Sequence, residues 1–396
     1  MTAPFIFLIA GEPSGDVLGA RLMAALKQAT GGQVRFAGIG GERMMAEGLD
    51  SLFPMEELTL MGLAELLPRL PGLIRRIDQT AAAILSSKPD AVVTIDAPDF
   101  CFRVLKKVRR ADKGIRLIHY VAPTVWAWRP GRARKIAAFL DHLLVLLPFE
   151  PPYFEAVGLP ATFVGHSIVE AGVERGDGPA FRARHGIAPD VPLLCVLPGS
   201  RRSEVRLLLP DFAATLAILK QRHPGLHVVI PTLGKVAAAV TAAAAQWPVP
   251  SLVVQGDEEK YDAMAASRVA LAASGTVALE LALARLPAVI AYRIHPLTFY
   301  LYRRLIRVKY ANLVNIMLDR MLVPERLQQD CTPEKLAVAV DRLLSDPAAR
   351  REQVDGVAQV ARWLGQDGSQ TPSQRAADAV LRVIAGAGAP GLSGGK

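Results

Sequence analysis

Short, wholly apolar runs recur along this 396-residue chain, and most end in a turn of Gly, Ser, Pro or Asp before helix-forming residues resume. Runs of that kind suit strands buried on both faces of a parallel sheet. In the first half they fall at 5–10, 35–40, 91–96, 116–121, 142–147 and 161–165, with helical composition around 17–28, 76–86, 99–110 and 132–139. After Ser167 the chain turns polar and irregular over 170–179, the best candidate linker. The alternation resumes at 193–197, 227–231, 251–255, 269–273 and 288–292. Two successive βα series predict an α/β fold of two Rossmann-like doubly wound domains facing a cleft. The expected domains are 1–168 and 180–364, with helices within about 365–386 returning to complete the first and a disordered tail at 387–396.

Ligands of such sheets bind beyond the carboxyl ends of the strands. The apolar run 269–273 ends in Ser274-Gly275-Thr276, and an Ala/Leu-rich helix begins at once, with Glu280 about one turn inside it. A helix opening there points unpaired N–H groups and a positive dipole end at the space above the strands, which suits an anion. Gly275 lacks the Cβ that would hold a phosphate oxygen away. Glu280 is placed to accept two hydroxyls, as from a ribose. The competing reading is an ordinary strand–cap–helix unit with Ser or Thr as cap.

Other strand ends carry similar chemistry. Gly11-Glu12-Pro-Ser14-Gly15-Asp16 follows the first strand and is neither a Walker loop nor the dinucleotide fingerprint, so its acids either meet sugar hydroxyls or cap a turn. Thr94-Ile-Asp96-Ala-Pro-Asp99 places two carboxylates at a buried strand end, where Asp99 is expected to cap the next helix and Asp96 is a candidate general base. Leu197-Pro-Gly-Ser200-Arg201 repeats the theme, with Arg201 placed to meet a diphosphate. Trp126 and Trp128 precede a basic helix and read either as core or as faces for a sugar or a lipid interface. Leu63, Leu66, Leu67, Leu70, Leu73 and Ile74 recur at helical spacing beside Arg69, Arg75 and Arg76. Prolines at 68 and 71 interrupt that stripe, so it reads either as core or as an irregular membrane or acyl-chain contact.

A net charge of +9 favours anionic partners, but the basic residues are dispersed and no nucleic-acid-binding signature is present, so nucleic acid is set aside. Cys101, Cys195 and Cys331 form no CxxC pair, which argues against a disulfide framework or zinc and for a reducing cytoplasm. His119 and His166 read as structural, with no metal constellation beside them. The apolar run at 5–10 lacks a basic leader and reads as a strand rather than a signal peptide. No run is long enough to span a bilayer, so membrane contact is expected to be peripheral.

Several motifs in the right order resemble the lipid-A-disaccharide synthases. They are Gly11-Glu-Pro-Ser-Gly-Asp16, Met55-Glu-Glu-Leu58 to Met61-Gly62, Ile95-Asp-Ala-Pro-Asp-Phe100 and His119-Tyr-Val to Val125-Trp-Ala-Trp128. Leu147-Pro-Phe-Glu150, Leu197-Pro-Gly-Ser-Arg201, Ala273-Ser-Gly-Thr276 with Glu280, and Asn315 complete the match, which covers most of the chain. The resemblance implies a GT-B glycosyltransferase, peripheral on the cytoplasmic face of the inner membrane. It implies that UDP-2,3-diacylglucosamine is joined to 2,3-diacylglucosamine 1-phosphate with inversion, giving a β-1,6 disaccharide and UDP. Carried over, Asp96 becomes the base and Arg201 a contact to the donor diphosphate. Ser200, Ser274, Gly275, Thr276, Glu280 and Asn315 belong to the donor side. Glu12, Ser14, Gly15, Asp16 and Trp126 border the acceptor or transferred sugar, and the stripe at 63–74 meets acyl chains or membrane. Helix dipoles and arginine suffice for the leaving diphosphate, so no metal or cofactor is expected. A homodimer stays open. The nearest rival is a UDP-N-acetylglucosamine 2-epimerase-like enzyme with no lipid acceptor, and a nucleotide-binding protein without turnover is a second.

Overall fold

The computed structural model describes residues 3–58, 63–294, 299, 308–366 and 368–386, with the backbone alone over 63–70. Two compact units emerge, one from the described residues up to Ser167 together with those from 368 onward, the other from Ile168–Gln366. In the first unit the apolar runs become β1 (Phe5–Ala10), β2 (Arg35–Ile39), β3 (Ala91–Ile95), β4 (Arg116–Tyr120), β5 (His142–Val145) and β6 (Ala161–Phe163). They form a parallel six-stranded sheet in the order β2-β1-β3-β4-β5-β6.

Side chains alternate across that sheet with the period of two that strands impose. Phe7 and Ile9 join Val92 and Leu117 on one face, under Ile77, Ala81 and Ile84 of the helix Leu63–Ser87 and Val104, Leu105 and Val108 of the helix Pro98–Ala111. Ile6, Leu8 and Ala10 join Val93 and Ile95 on the other, under Leu18, Leu22 and Leu26 of the helix Pro13–Ala29 and Ala376 and Val380 of the helix Pro372–Ile384. Burial on both faces explains why the strands read as unbroken apolar runs rather than alternating ones.

The second unit repeats the plan. β7 (Leu193–Leu197), β8 (His227–Thr232), β9 (Ser251–Gln255), β10 (Val269–Ala273), β11 (Ala288–Tyr292) and β12 (Glu325–Leu327) form a parallel six-stranded sheet in the order β12-β11-β10-β7-β8-β9. β12 has no apolar run to announce it: it is a three-residue edge strand, and its Glu325 is buried as an acceptor for the N–H groups of Ala311 and Asn312.

Each sheet has one place where the winding reverses. In the first unit the chain leaves β1 for β2 and returns to β3 on the other side of β1; in the second it leaves β7 for β8 and β9 and returns to β10. Loops leaving the two central strands diverge at such a reversal and open a crevice at their carboxyl ends. Those crevices lie between residues following β1 and β3, and between residues following β7 and β10.

Two local expectations are corrected. The prolines at 68 and 71 do not interrupt the segment: its backbone is one helix of 25 residues, Leu63–Ser87, anchored by the buried Ile77, Ala81 and Ile84 in its second half. Packing of that apolar face outweighs the cost of proline in the first turns. Asp99 is not a cap; it lies inside the helix Pro98–Ala111, whose N-cap is Ala97, with its side chain 90% exposed and 4.0 Å from Arg132.

Candidate functional site

The reversal in the second unit holds a cavity of about 430 Å³, lined by residues that follow β7, β8, β9 and β10. Ser200, Arg201, Ser274, Gly275, Thr276 and Glu280 all line it, so the strand ends singled out in the sequence converge. Of the competing cap reading only the position holds: Thr276 is the N-cap of the helix Val277–Leu283 but makes no side-chain capping bond, and Ser274 Oγ donates to the Ala311 carbonyl at 3.3 Å. A Cβ added at Gly275 would meet no protein atom within 4 Å. Neither packing nor a left-handed backbone therefore asks for glycine there, and its bareness leaves room on the cavity side.

Charge in the cavity is arranged in pairs. Glu280 accepts from Lys260 Nζ at 3.0 Å, and Lys260 also lies 3.2 Å from Asp257. Burial lifts the Glu280 carboxyl above its usual range, with the Lys260 ammonium pulling the other way. Burial opposes the Lys260 ammonium, but Glu280, Tyr261 and Asp257 together raise its pKa. Arg201, its side chain 75% exposed, pairs with Glu204 at 2.8 Å on the same cavity wall. Thr232 Oγ1, at the end of β8, is buried with no hydrogen-bond partner among the described residues, and Thr232 lines the cavity. Sequence reasoning passed over Lys260, Asp257, Glu204 and Thr232; the one available signal was Gly256-Asp257, another strand end followed by a helix.

The reversal in the first unit holds Asp96. Its φ of 51° and that of Ala97, 42°, are both left-handed, a costly backbone for residues other than glycine and one that clusters at functional sites. Val121, which follows β4 directly, has φ 78°, unusual for a β-branched residue. The ladder still extends through this turn, since Asp96 N donates to the Tyr120 carbonyl at 3.0 Å. Burial raises the Asp96 carboxyl above the ordinary range, offset in part by the Ala97 N–H. Across the reversal, a Cβ on Gly11 would stand 2.8 Å from Ala97 Cβ, so the β1 turn must be bare for the β3 turn to close on it. Glu12 and Ser14 follow directly and are exposed; Gly15 is buried against Ala10 and the Ile95 carbonyl.

Three expected ligand contacts have other duties. Asp16 is 5% exposed, and its carboxylate accepts from the N–H groups of Gly41, Arg43 and Met44 at 2.8, 3.1 and 3.0 Å, closing the start of the helix Glu42–Ala46. Trp126 is buried, donates to Glu150 at 3.1 Å and meets Phe149 edge-on, so it offers no ring face to a sugar. Asn315 is fully buried: it donates to the Val323 carbonyl and Glu325 and accepts from Leu322 and Val323, which uses its amide up within the fold. His119 is structural, bonded through Nδ1 to Thr94 at 2.7 Å and kept neutral by burial and Arg132, with a pKa of about 3.

Of the apolar stripe, the side chains of Leu63, Leu66, Leu67 and Leu70 lie outside the described residues. Leu73 is half-buried against the core, Ile74 is 51% exposed, and Arg76 is held by Glu57 at 2.6 Å over the Phe53 ring. Among the described residues no cluster of His, Cys, Asp and Glu could hold a metal, and no helix is long and apolar enough to cross a membrane.

Two Rossmann-like units, each a parallel six-stranded sheet with one reversal, fit the GT-B class of fold. MurG of Acinetobacter baumannii superposes with a TM-score of 0.58 at 15% identity, over 96% of this chain and 99% of that one. A UDP-GlcNAc 2-epimerase of Neisseria meningitidis, solved with UDP-GlcNAc, superposes with a TM-score of 0.60 at 10% identity, over 98% and 100%. Fold alone thus does not separate transferase from epimerase. Sequence does: residues 6–379 match the lipid-A-disaccharide synthetase family model, and the lipid-A-disaccharide synthase of Rhodospirillum centenum is 71% identical over 96% of this chain and 94% of its own. The chain belongs to the lipid-A-disaccharide synthetase family, and it is a glycosyltransferase.

Proposed function

We propose that this glycosyltransferase joins UDP-2,3-diacylglucosamine to 2,3-diacylglucosamine 1-phosphate, giving the β-1,6-linked disaccharide 1-phosphate and UDP. Asp96 takes the proton of the acceptor 6-hydroxyl as that oxygen attacks the donor anomeric carbon. The bond from that carbon to the diphosphate breaks on the opposite face, so configuration inverts. Arg201, Ser200, Ser274, Gly275 and Thr276 receive the departing diphosphate, and Glu280 holds the ribose hydroxyls. Asp16, Trp126 and Asn315 act at one remove: they fix the Gly41 turn, the Leu147–Glu150 turn and the loop before β12. Glu12, Ser14 and Gly15 border the acceptor sugar.

The observation that carries this reading is the pair of left-handed residues holding a part-buried carboxyl at the first unit's reversal. The exposed Asp319 has the same backbone at a helix end, but at Asp96 it comes with a second left-handed residue, Ala97, and with burial of the carboxyl. Exposed Ile74, with Arg75 beside it, supports peripheral contact with an anionic membrane surface on the cytoplasmic side, in keeping with lipid substrates. The test is incubation with both lipids while UDP release and disaccharide are followed. Asp96→Ala is expected to abolish turnover and leave UDP affinity within about twofold of wild type. Full turnover in that variant removes Asp96 as base, and conversion of UDP-N-acetylglucosamine to UDP-N-acetylmannosamine would favour the epimerase reading.

A further inference from the structure

The cavity of the second unit presents more acid than base: Glu204, Asp257 and Glu280 against Arg201 and Lys260. A nucleoside diphosphate brings further negative charge, so each carboxylate that remains there must be neutralised locally. Arg201 answers Glu204. Lys260 answers both of the others, lying 3.0 Å from Glu280 and 3.2 Å from Asp257, with Tyr261 beneath its ammonium at 4.6 Å from the ring centroid. It reaches Glu280 from the helix Asp257–Ala266, 20 residues away in sequence. Its side chain is 18% exposed and that of Glu280 14%, so solvent screens this pair little.

We infer that Lys260 is a positioning residue of the donor site, which fixes the Glu280 carboxylate in place and cancels its charge so that ribose and diphosphate can be accepted side by side. The inference rests on the proposed ribose contact of Glu280 and deepens it. Lys260 bonds Oε1 of Glu280, a residue of the cavity lining, and no described residue hydrogen-bonds the other carboxylate oxygen. Removing the lysine leaves two carboxylates facing an incoming dianion. Burial then favours the neutral acid at Glu280, which accepts hydroxyl protons poorly.

The test is a double-mutant cycle read on UDP affinity by calorimetry, with the full chain. Glu280→Gln is expected to weaken UDP binding. Lys260→Met is expected to weaken it roughly tenfold or more in the wild-type background, the scale of a lost charged hydrogen bond, and less than about threefold in the Glu280→Gln background. Lys260→Arg, which keeps charge and donors, is expected to restore most of the affinity, and the KM for the donor is expected to move far more than kcat. Lys260→Gln keeps a polar stem and serves as a second neutral variant, so a folding defect peculiar to methionine would not decide the matter. An equal loss in both backgrounds means that Lys260 acts on the nucleotide directly, and the inference falls. Unchanged UDP affinity in both neutral variants also overturns it. If Glu280→Gln binds UDP as wild type does, the ribose contact itself is wrong, and both readings fall together.

Discussion

At Asp96 the backbone, burial and the neighbouring strand all act on one carboxyl group. Because a general base must be deprotonated, activity is expected to fall as pH drops through a value above the ordinary aspartate pKa of about 4. A kcat/KM profile flat down to that ordinary range would show that the carboxyl is not the group being titrated. Gly11 offers a second handle on the same turn. Alanine there puts a methyl 2.8 Å from Ala97 Cβ, so Gly11→Ala is expected to cut kcat at least severalfold while UDP affinity holds. Equal losses in both would place Gly11 outside the catalytic turn. Asn315 tests the opposite kind of residue. Truncating it orphans the N–H groups of Leu322 and Val323 and removes a partner of Glu325, so Asn315→Ala is expected to cost about 2–4 kcal/mol in urea unfolding. A smaller stability loss with a large loss of UDP affinity would return Asn315 to the donor contacts.

Among the elements, the helix Leu63–Ser87 shows most directly what a linear reading can and cannot see. Its apolar spacing was legible, yet the same spacing serves a buried face at Ile77, Ala81 and Ile84 and an exposed one at Ile74. Ile74→Asp is expected to weaken association with anionic vesicles while leaving the melting temperature unchanged, and association in both proteins is expected to fall as salt rises. Failure of the wild-type protein to pellet with such vesicles at low salt would end the membrane reading. Strands β1, β7, β10 and β11 were legible to the residue because burial on both faces leaves a bare apolar run, and the half-buried edge strand β9 was legible from its Leu-Val-Val centre. β12 was not, since its pairing depends on Glu325 meeting the backbone at 311 and 312. The site divides the same way. Strand-end turns announce Asp96, Arg201 and 274–276 because local chemistry makes them unusual. Asp16, by contrast, finds its partners at 41–44, and Lys260 finds Glu280; only the folded chain brings such pairs together.

For the whole molecule, three histidines of the first unit add to the loss of stability in acid, against which the carboxyls of Asp96, Glu150 and Glu280, raised by burial, work. Burial holds His119 at a pKa of about 3, and His142 and His166 at about 4, each well below the value near 6.5 expected of an unfolded chain. The unfolded state therefore binds more protons below that value. The stability these neutral rings contribute is complete above pH 6.5 and lost as pH falls toward 4, on the order of 1.4 kcal/mol per pH unit for each ring. Thermal melts are expected to drop steeply between pH 6.5 and 5, and a flat melting profile over that interval would show that these rings are not kept neutral. The helix Pro372–Ile384, whose Ala376 and Val380 seal one face of the first sheet, has a consequence for biosynthesis. That helix follows the entire 168–366 unit in chain order, so a ribosome exposes Leu22, Ile118 and Leu144 long before their cover exists. The unit begun first is thus the one finished last, and a nascent chain must keep that apolar surface out of trouble while its neighbour is still being made.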